Sequence, residues 1–368
     1  MNADGTSQPP FKVIVYLGET RPFSDEDYGV QLLLELEKNK FAIAAILLRE
    51  NDPVNRHPVF GGLRRFFLPE ALTLPKPQME VLLAKEGTVC GLDTWLEEIR
   101  TLGADLGIVF YGHWIPPKLF TLPRLGFINY HPGPLPFLRG MEPDTFTILE
   151  GWRRVWGAVN RVEECFDSGD ILARTKMLRV SRHATPADVL HTLTAYGVDA
   201  IIRAAKIILK NNQYRGKRVQ GEGSLATIAM ARRASRIQWD SDTCEVLRRK
   251  LRAFCGQDIG IRLKAHIEDK LYFVFDLEVW RTRKKRLRPY APGAFLGRYL
   301  YPGKFLDMPI IKTADGAAVL LAEEARARAD EAVPFPKEAL LAPVKRPRAA
   351  TRGKIEKSIL AWERQKED

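Results

Sequence analysis

The 368-residue chain reads as an α/β protein: a parallel, doubly wound sheet followed by a small β-barrel of the OB type. Two observations predict this. Up to about residue 210, short apolar runs alternate with helical patterns, as in sheets covered by helices on both faces. Beyond about residue 236, short strand-like segments follow one another with turn signals between them, the pattern of a small barrel.

Lys12–Leu17 is a short apolar strand closed by Gly18. Asp27–Lys38 has helical spacing at Leu32, Leu33, Leu34 and Leu36. Ala42–Leu48 is a second apolar strand, and Thr94–Leu102 is a helix with Trp95, Leu96, Ile99 and Leu102 on one face. Ala104–Phe110 and Leu125–Tyr130 are strands. Thr185–Leu209 is a long helix opened by Thr185 as N-cap and Pro186 in the first turn.

Residues 211–235 read as a linker, because Asn211–Ser224 is polar and contains Gly216, Gly221 and Gly223. A helix follows at Thr243–Phe254. The strand-like segments are Gly260–Ile267, Leu271–Trp280, Gly293–Leu300, Pro309–Lys312 and Ala317–Glu323. The expected organisation is a catalytic domain over 1–210, the linker, a barrel over 236–332 and a basic, mobile tail over 333–368 around Lys345-Arg346-Pro347-Arg348.

Composition narrows the classes. Hydrophobic residues make up 45% and charged residues 28%, the balance of a globular chain. Met1–Pro10 carries no basic charge, and the apolar run Val13–Leu17 is too short for a signal peptide or a membrane span. The expectation is a cytoplasmic protein. Cys90, Cys165, Cys244 and Cys255 have neither zinc-knuckle nor CxxC spacing, so no metal is expected. Residues 1–200 hold 21 Lys+Arg against 25 Asp+Glu, whereas residues 201–368 hold 36 against 20. The excess, densest at Arg281–Arg288, makes the C-terminal half a candidate for an anionic partner such as nucleic acid; a solvated basic surface explains it equally well.

The chemistry concentrates in Phe127–Gly140 and Phe166–Asp170. Asn129 and His131 lie two apart at a strand end and so share a face. In doubly wound sheets ligands bind at the carboxyl ends of strands. Asp167 follows His131 by 36 residues in a Gly-containing turn. A carboxamide, a titratable ring and a carboxylate suit acyl transfer to an amine. Asn129 can offer an N–H to a developing oxyanion, an interaction typically worth about 10²–10³ in rate. His131 can donate to the same oxygen or relay a proton, for about 10²–10⁴. Asp167 can pair with His131 or accept the amine proton through a water. Taken singly, each residue is more often a turn former or an ordinary buried side chain.

Together, Asn129-Tyr130-His131-Pro132, Leu135-Pro136, Arg139-Gly140 and Asp167-Ser168-Gly169-Asp170 resemble the N10-formyltetrahydrofolate-dependent formyltransferases, and within them the methionyl-tRNA formyltransferases. Leu106–Pro116, Arg236-Ile237-Gln238-Trp239 with Arg252-Ala253-Phe254, Pro292-Gly293 and Thr313–Gly316 extend the resemblance over most of the chain. It implies a Rossmann-like catalytic domain, an OB-like C-terminal domain, 10-formyltetrahydrofolate as donor and an amine acceptor. It also implies Asn129, His131 and Asp167 as the catalytic trio, and a pterin site lined by Tyr111, Gly112, Pro132, Glu163, Gly169 and Asp170. On the acceptor side the candidates are Arg139, Glu142 and, for a tRNA, Arg283, Lys284 and Lys285. There the chain departs from the family's usual wording: Met141-Glu142-Pro143 follows Arg-Gly, and Gly157-Ala158-Val159-Asn160 stands for the Gly-x-Thr strand. A small amine, such as an amino sugar nucleotide, is therefore the alternative acceptor. Two further readings are a relative of the module used in hydrogenase maturation, of which His131–Pro134 is reminiscent, and an RNA-binding protein on a retired enzyme scaffold. GxGxxG, P-loop, Ser-elbow and HExxH patterns are absent from the sequence.

Overall fold

A computed structural model describes residues 10–17, 28–48, 65–67, 92–111, 115, 117–218, 224–254, 261–268, 270–281, 287–300 and 307–324. The strands are β1 (Lys12–Leu17), β2 (Ala42–Leu48), β3 (Arg65–Phe67), β4 (Leu106–Phe110), β5 (Phe127–His131), β6 (Leu138–Gly140), β7 (Arg154–Val155) and β8 (Ala158–Arg161). They continue with β9 (Ile171–Arg174), β10 (Leu178–Arg179), β11 (Ser224–Ala226), β12 (Lys264–Ile267), β13 (Lys270–Arg281), β14 (Phe295–Leu300), β15 (Asp307–Lys312) and β16 (Gly316–Glu324). The chain divides into two compact units. One comprises Met1–Pro143, Arg153–Val180 and Asp188–Ala226; the other comprises Asp144–Trp152, Ser181–Ala187 and Thr227–Asp368.

The first unit is built on a seven-stranded sheet of order β3-β2-β1-β4-β5-β8-β9. β1 to β5 run parallel, as expected. β8 runs against them: it is antiparallel to β5 on one side and to β9 on the other, so the sheet is mixed. The connection from β8 to β9, residues 162–170, is short, and a short connection returns a strand antiparallel; the one from β5 to β8, residues 132–157, is long and includes β6, the helix Pro143–Glu150 and β7.

Alternate residues of β1 divide between two cores. Val13, Val15 and Leu17 pack on one face with Leu32, Leu33 and Leu36 of the helix Tyr28–Lys38 and with Ala204, Ala205 and Ile208 of the helix Pro186–Lys210. Ile14 and Tyr16 pack on the other face with Leu96 and Ile99 of the helix Leu92–Thr101. Period-2 alternation with both faces apolar is what a covered sheet requires.

Tyr130 on β5 is buried and its hydroxyl donates to the Leu193 carbonyl. Burial pushes its phenol well above the usual tyrosine range. The ring lies in a slot kept open by two glycines: a Cβ on Gly157 would collide with the hydroxyl, and one on Gly197 would stand 2.5 Å from the ring. Gly197 lies inside the long helix, where Ala would ordinarily be preferred by about 1 kcal/mol. The contact reverses that preference. Gly197→Ala is expected to lower stability by about 1–3 kcal/mol, measured by urea unfolding; a rise in the unfolding midpoint would show that the ring can yield.

The second unit holds a five-stranded antiparallel sheet, β12-β13-β16-β15-β14. Its core includes Leu287, Leu296, Ile310, Ala317 and Val319. The helix Cys244–Phe254 starts where Asp315 accepts from the Cys244 N–H, and Arg248 donates to the Val279 carbonyl of β13. Lys250 is buried but paired, with Nζ 2.6 Å from Asp242 and 2.7 Å from the Arg236 carbonyl. Within the expected linker, β11 and a short helix, Ile228–Ala234 capped by Thr227, are formed. The expected tail, 333–368, lies outside the described residues.

Candidate active site

β5 presents Asn129 and His131 on the face opposite Ile128 and Tyr130, whose side chains belong to the core below. β8 runs beside it, with Asn160 directly opposite Asn129. The segment leaving β8 then curls back and places Asp167 over this face. Asp167 has φ +49°, and Tyr111, at the end of β4, has φ +59°. Such conformations cost of order 1–3 kcal/mol for residues other than glycine and gather at functional sites.

Asp167 is the hub. Its Oδ1 accepts from Asn129 Nδ2 at 3.1 Å, and its Oδ2 accepts from the Gly140 backbone N–H at 2.8 Å. The same Oδ2 lies 3.3 Å from His131 Nδ1, with the two side chains 4% and 8% exposed. His131 Nε2 lies 2.6 Å from the Leu138 carbonyl. Asn129 Nδ2 also reaches Asn160 Oδ1 at 3.5 Å, and Asn160 Nδ2 donates to the Arg161 carbonyl at 3.0 Å. The three residues expected to act together are therefore joined in one hydrogen-bonded unit. The Asn129 N–H groups, expected to serve an oxyanion, are directed at Asp167 and Asn160.

The backbone amide of Gly140 reaches Asp167 because β6 is held from its other side. β6 pairs in parallel with β11, Arg139 opposite Leu225 and Gly140 opposite Ala226. Gly140 has φ +87°. Sequence reading did not identify the Gly140 amide, the Leu138 carbonyl or Asn160 as part of this unit. Of these, only Asn160 is marked in the sequence, as a departure from the family's Gly-x-Thr wording.

The other expected site residues are more dispersed. Pro132 follows β5 half-buried, and Tyr111 packs its ring 5.0 Å from Phe110. Gly169 is buried with no room for a side chain, since a Cβ would collide with the Arg161 carbonyl. Asp170 is half-buried, and its backbone carbonyl accepts from the Arg161 N–H. Glu163 is exposed; it accepts from Ser168 and lines a cleft of about 410 Å³ at the opposite end of β5, with Phe120, Arg124, Phe127 and Arg215. Arg161 borders that cleft with its guanidinium held by the Leu125, Tyr214 and Arg215 carbonyls, and burial and Arg215 lower its pKa against the opposing effect of Asp170. Arg139 and Glu142 flank Gly140, both half-buried, with Glu142 at φ +55°. Gly112, Arg283, Lys284 and Lys285 lie outside the described residues. Among the described residues no group of His, Cys, Asp and Glu is arranged to hold a metal, and no helix is long and apolar enough to cross a membrane.

Residues 89–205 match the sequence profile of the Formyl transferase family. The chain carries a formyl transferase domain. The domain contains β4, β5, β8, β9 and all of the Asn129–His131–Asp167 unit. The methionyl-tRNA formyltransferase of Nitrobacter winogradskyi is 26% identical over 227 residues, covering 60% of this chain and 69% of that protein. The corresponding protein of Chlamydia pneumoniae is 25% identical over 231 residues, covering 61% and 67%. Among solved structures, HypX from Aquifex aeolicus in complex with tetrahydrofolic acid superposes with TM-score 0.52 and 19% identity over 89% of this chain. The chain spans 46% of that protein's length. The N-formyltransferase of Helicobacter canadensis, in complex with folinic acid and dTDP-3-aminofucose, gives TM-score 0.51 and 14% identity over 86% of this chain and 100% of that one. These structures share the formyltransferase fold.

Proposed function

We propose that this chain transfers a formyl group from 10-formyltetrahydrofolate to a primary amine, the amino group of methionyl-tRNA. The observation that carries the reading is the Asp167 hub, which holds Asn129 and His131 together at the end of β5 inside a formyl transferase domain. In the reaction the amine nitrogen bonds to the formyl carbon, the bond from that carbon to the folate nitrogen breaks, and the proton lost by the amine is balanced by one gained at the folate nitrogen. The His131–Asp167 pair is the ionisable group placed to move that proton through a water. Gly133 packs closely against His131: a Cβ there would stand 2.6 Å from Pro143 Cβ and 2.8 Å from His131 Nε2. A formyl oxygen that reaches His131 Nε2 can take over its N–H from the Leu138 carbonyl and draw charge stabilisation from it.

The assignment of donor contacts to Tyr111, Gly112, Pro132, Glu163, Gly169 and Asp170, and of acceptor contacts to Arg139, Glu142, Arg283, Lys284 and Lys285, belongs to the same proposal. So do the OB-like character of the C-terminal sheet, nucleic-acid contact through the basic C-terminal half, and a cytoplasmic location. The methionyl-tRNA formyltransferases among its relatives support tRNA as acceptor. Met141-Glu142-Pro143, beside the hub, differs from the family's wording and favours the second reading, a small-molecule amine.

Incubation with 10-formyltetrahydrofolate and either charged initiator tRNA or a panel of amines tests both readings, scored by the mass gain of one formyl group. With tRNA, kcat/KM is expected to fall steeply as salt is raised, because phosphate contacts release counterions. Formylation of a small amine alone, insensitive to salt, would replace the first acceptor by the second. No transfer to any acceptor would end the enzyme reading.

A further inference from the structure

The hydrogen bonds around Asn129 end at groups that can only accept, the Arg161 backbone carbonyl on one side and the Asp167 carboxylate on the other. At one end the Arg161 carbonyl lies 3.0 Å from the Asn160 carboxamide, so Asn160 must turn its NH₂ group toward it. Its oxygen then faces Asn129 at 3.5 Å, and Asn129 must answer with its own NH₂ group. The same Asn129 nitrogen meets the acceptor-only Asp167 carboxylate at 3.1 Å. Both Asn129 N–H groups are thereby committed, and the carboxamide oxygen remains outside this network. Asn160 is 1% exposed and stands directly across the ladder from Asn129, so it has little freedom to turn over.

We propose that Asn160 is a positioning residue that sets which way the Asn129 carboxamide faces, leaving its oxygen to accept an N–H of the attacking amine and aim the amine lone pair at the formyl carbon. This deepens the proposed function and rests on it. Misplacing a reacting group by about 1 Å can cost about 10²-fold in rate.

Two variants separate this role from simple packing. In Asn160→Asp the ionised carboxylate opposes the Arg161 carbonyl, acceptor against acceptor. When it takes a proton, its O–H donates to Arg161 and its C=O faces Asn129, restoring the native pattern. Asp167, His131 and Arg161 border the site in variant and wild type alike, so the quantity to read is the ratio of their kcat values at each pH. The ratio is expected to be about 0.01–0.1 at alkaline pH and to climb as pH falls, with KM for the folate donor within about twofold of wild type. Asn160→Leu is expected to show the deficit without recovery. A ratio that stays flat with pH in Asn160→Asp overturns the proposal.

A second readout is independent of turnover. With ¹⁵N-asparagine labelling, the Asn129 side-chain amide pair, assigned by its loss in Asn129→Asp, is expected to shift and exchange faster with water in Asn160→Leu. An unchanged pair overturns the proposal. If Asn160→Leu does not fold, the same measurement is made on Asn160→Asp at alkaline pH. Absence of formyl transfer by the wild type would sink the functional reading, while the amide resonances would still decide the orientation.

Discussion

Replacing Asp167 by Asn is expected to lower formyl transfer by about a thousandfold or more, although the side chain keeps its size. Its two oxygens face three donors: Asn129 Nδ2 at Oδ1, and Gly140 N–H and His131 Nδ1 at Oδ2. An Asn side chain must put an NH₂ group in one of the two positions. In the Oδ1 position it opposes the Asn129 amide, donor against donor. In the Oδ2 position it opposes the Gly140 N–H. Either placement leaves buried polar groups unsatisfied and takes away the negative charge beside His131. Losing the positioned proton-transfer pair is worth about 10²–10⁴ and misplacing a carboxamide at the reacting centre about 10². The two are coupled through one carboxylate, so their product is an upper limit. Single-turnover transfer from 10-formyltetrahydrofolate measures the effect, with a thermal melt to confirm folding. A folded Asp167→Asn protein within tenfold of wild type would remove Asp167 from the chemistry.

The elements legible in the sequence are those whose partners lie in their own pattern. Lys12–Leu17 and Ala42–Leu48 are short apolar runs closed by Gly18 and by Arg49, and they form strands over those same residues. The long helix after Thr185 announces its start through Thr-Pro chemistry. What was not legible depends on distant partners. Ala-Val-Asn-Arg is a plausible strand in either direction, and its antiparallel place beside β5 is set by pairing across the sheet, not by its own residues. Ser-Leu-Ala has no periodicity, yet it becomes β11 because β6 offers it an edge. Pro143–Glu150 forms a helix although Asp144, Thr145 and Thr147, which periodicity alone assigns to solvent, are buried.

The site divides in the same way. Asn129 and His131 share a face by the period of a strand. The place of Asp167 beside them rested on family resemblance, because a 36-residue separation contains no geometry. The Gly140 N–H was invisible, since a backbone donor has no side-chain signature. Asn160 is marked in the sequence only as a departure from Gly-x-Thr, and its partner is set by register across the ladder.

Gly140 is where the fold and the site depend on one residue, and Gly140→Ala is expected to damage both. At φ +87° an L-residue is strained by about 1–3 kcal/mol. The added Cβ would also stand 2.5 Å from the Ala226 carbonyl oxygen and 2.8 Å from Leu225 Cδ1. The side chain of Leu225 is 43% exposed at residue level and can turn away. The Ala226 carbonyl cannot, because it accepts from the Met141 N–H at 3.0 Å and belongs to the β6–β11 pair. Relief must come from separating the two strands, which carries the Gly140 N–H away from Asp167. Backbone strain and lost pairing together are expected to cost about 3 kcal/mol, within the range of strain and overpacking combined. In a unit of this size that lowers Tm by several degrees, and kcat is expected to fall at least about tenfold through Asp167. Combining Gly140→Ala with Leu225→Ala separates the two collisions. Only the Leu225 contact is removed, so Tm is expected to recover in small part and kcat to stay depressed. Full recovery of both in the double variant would place the conflict in the Leu225 side chain and free β11 from any part in holding Asp167.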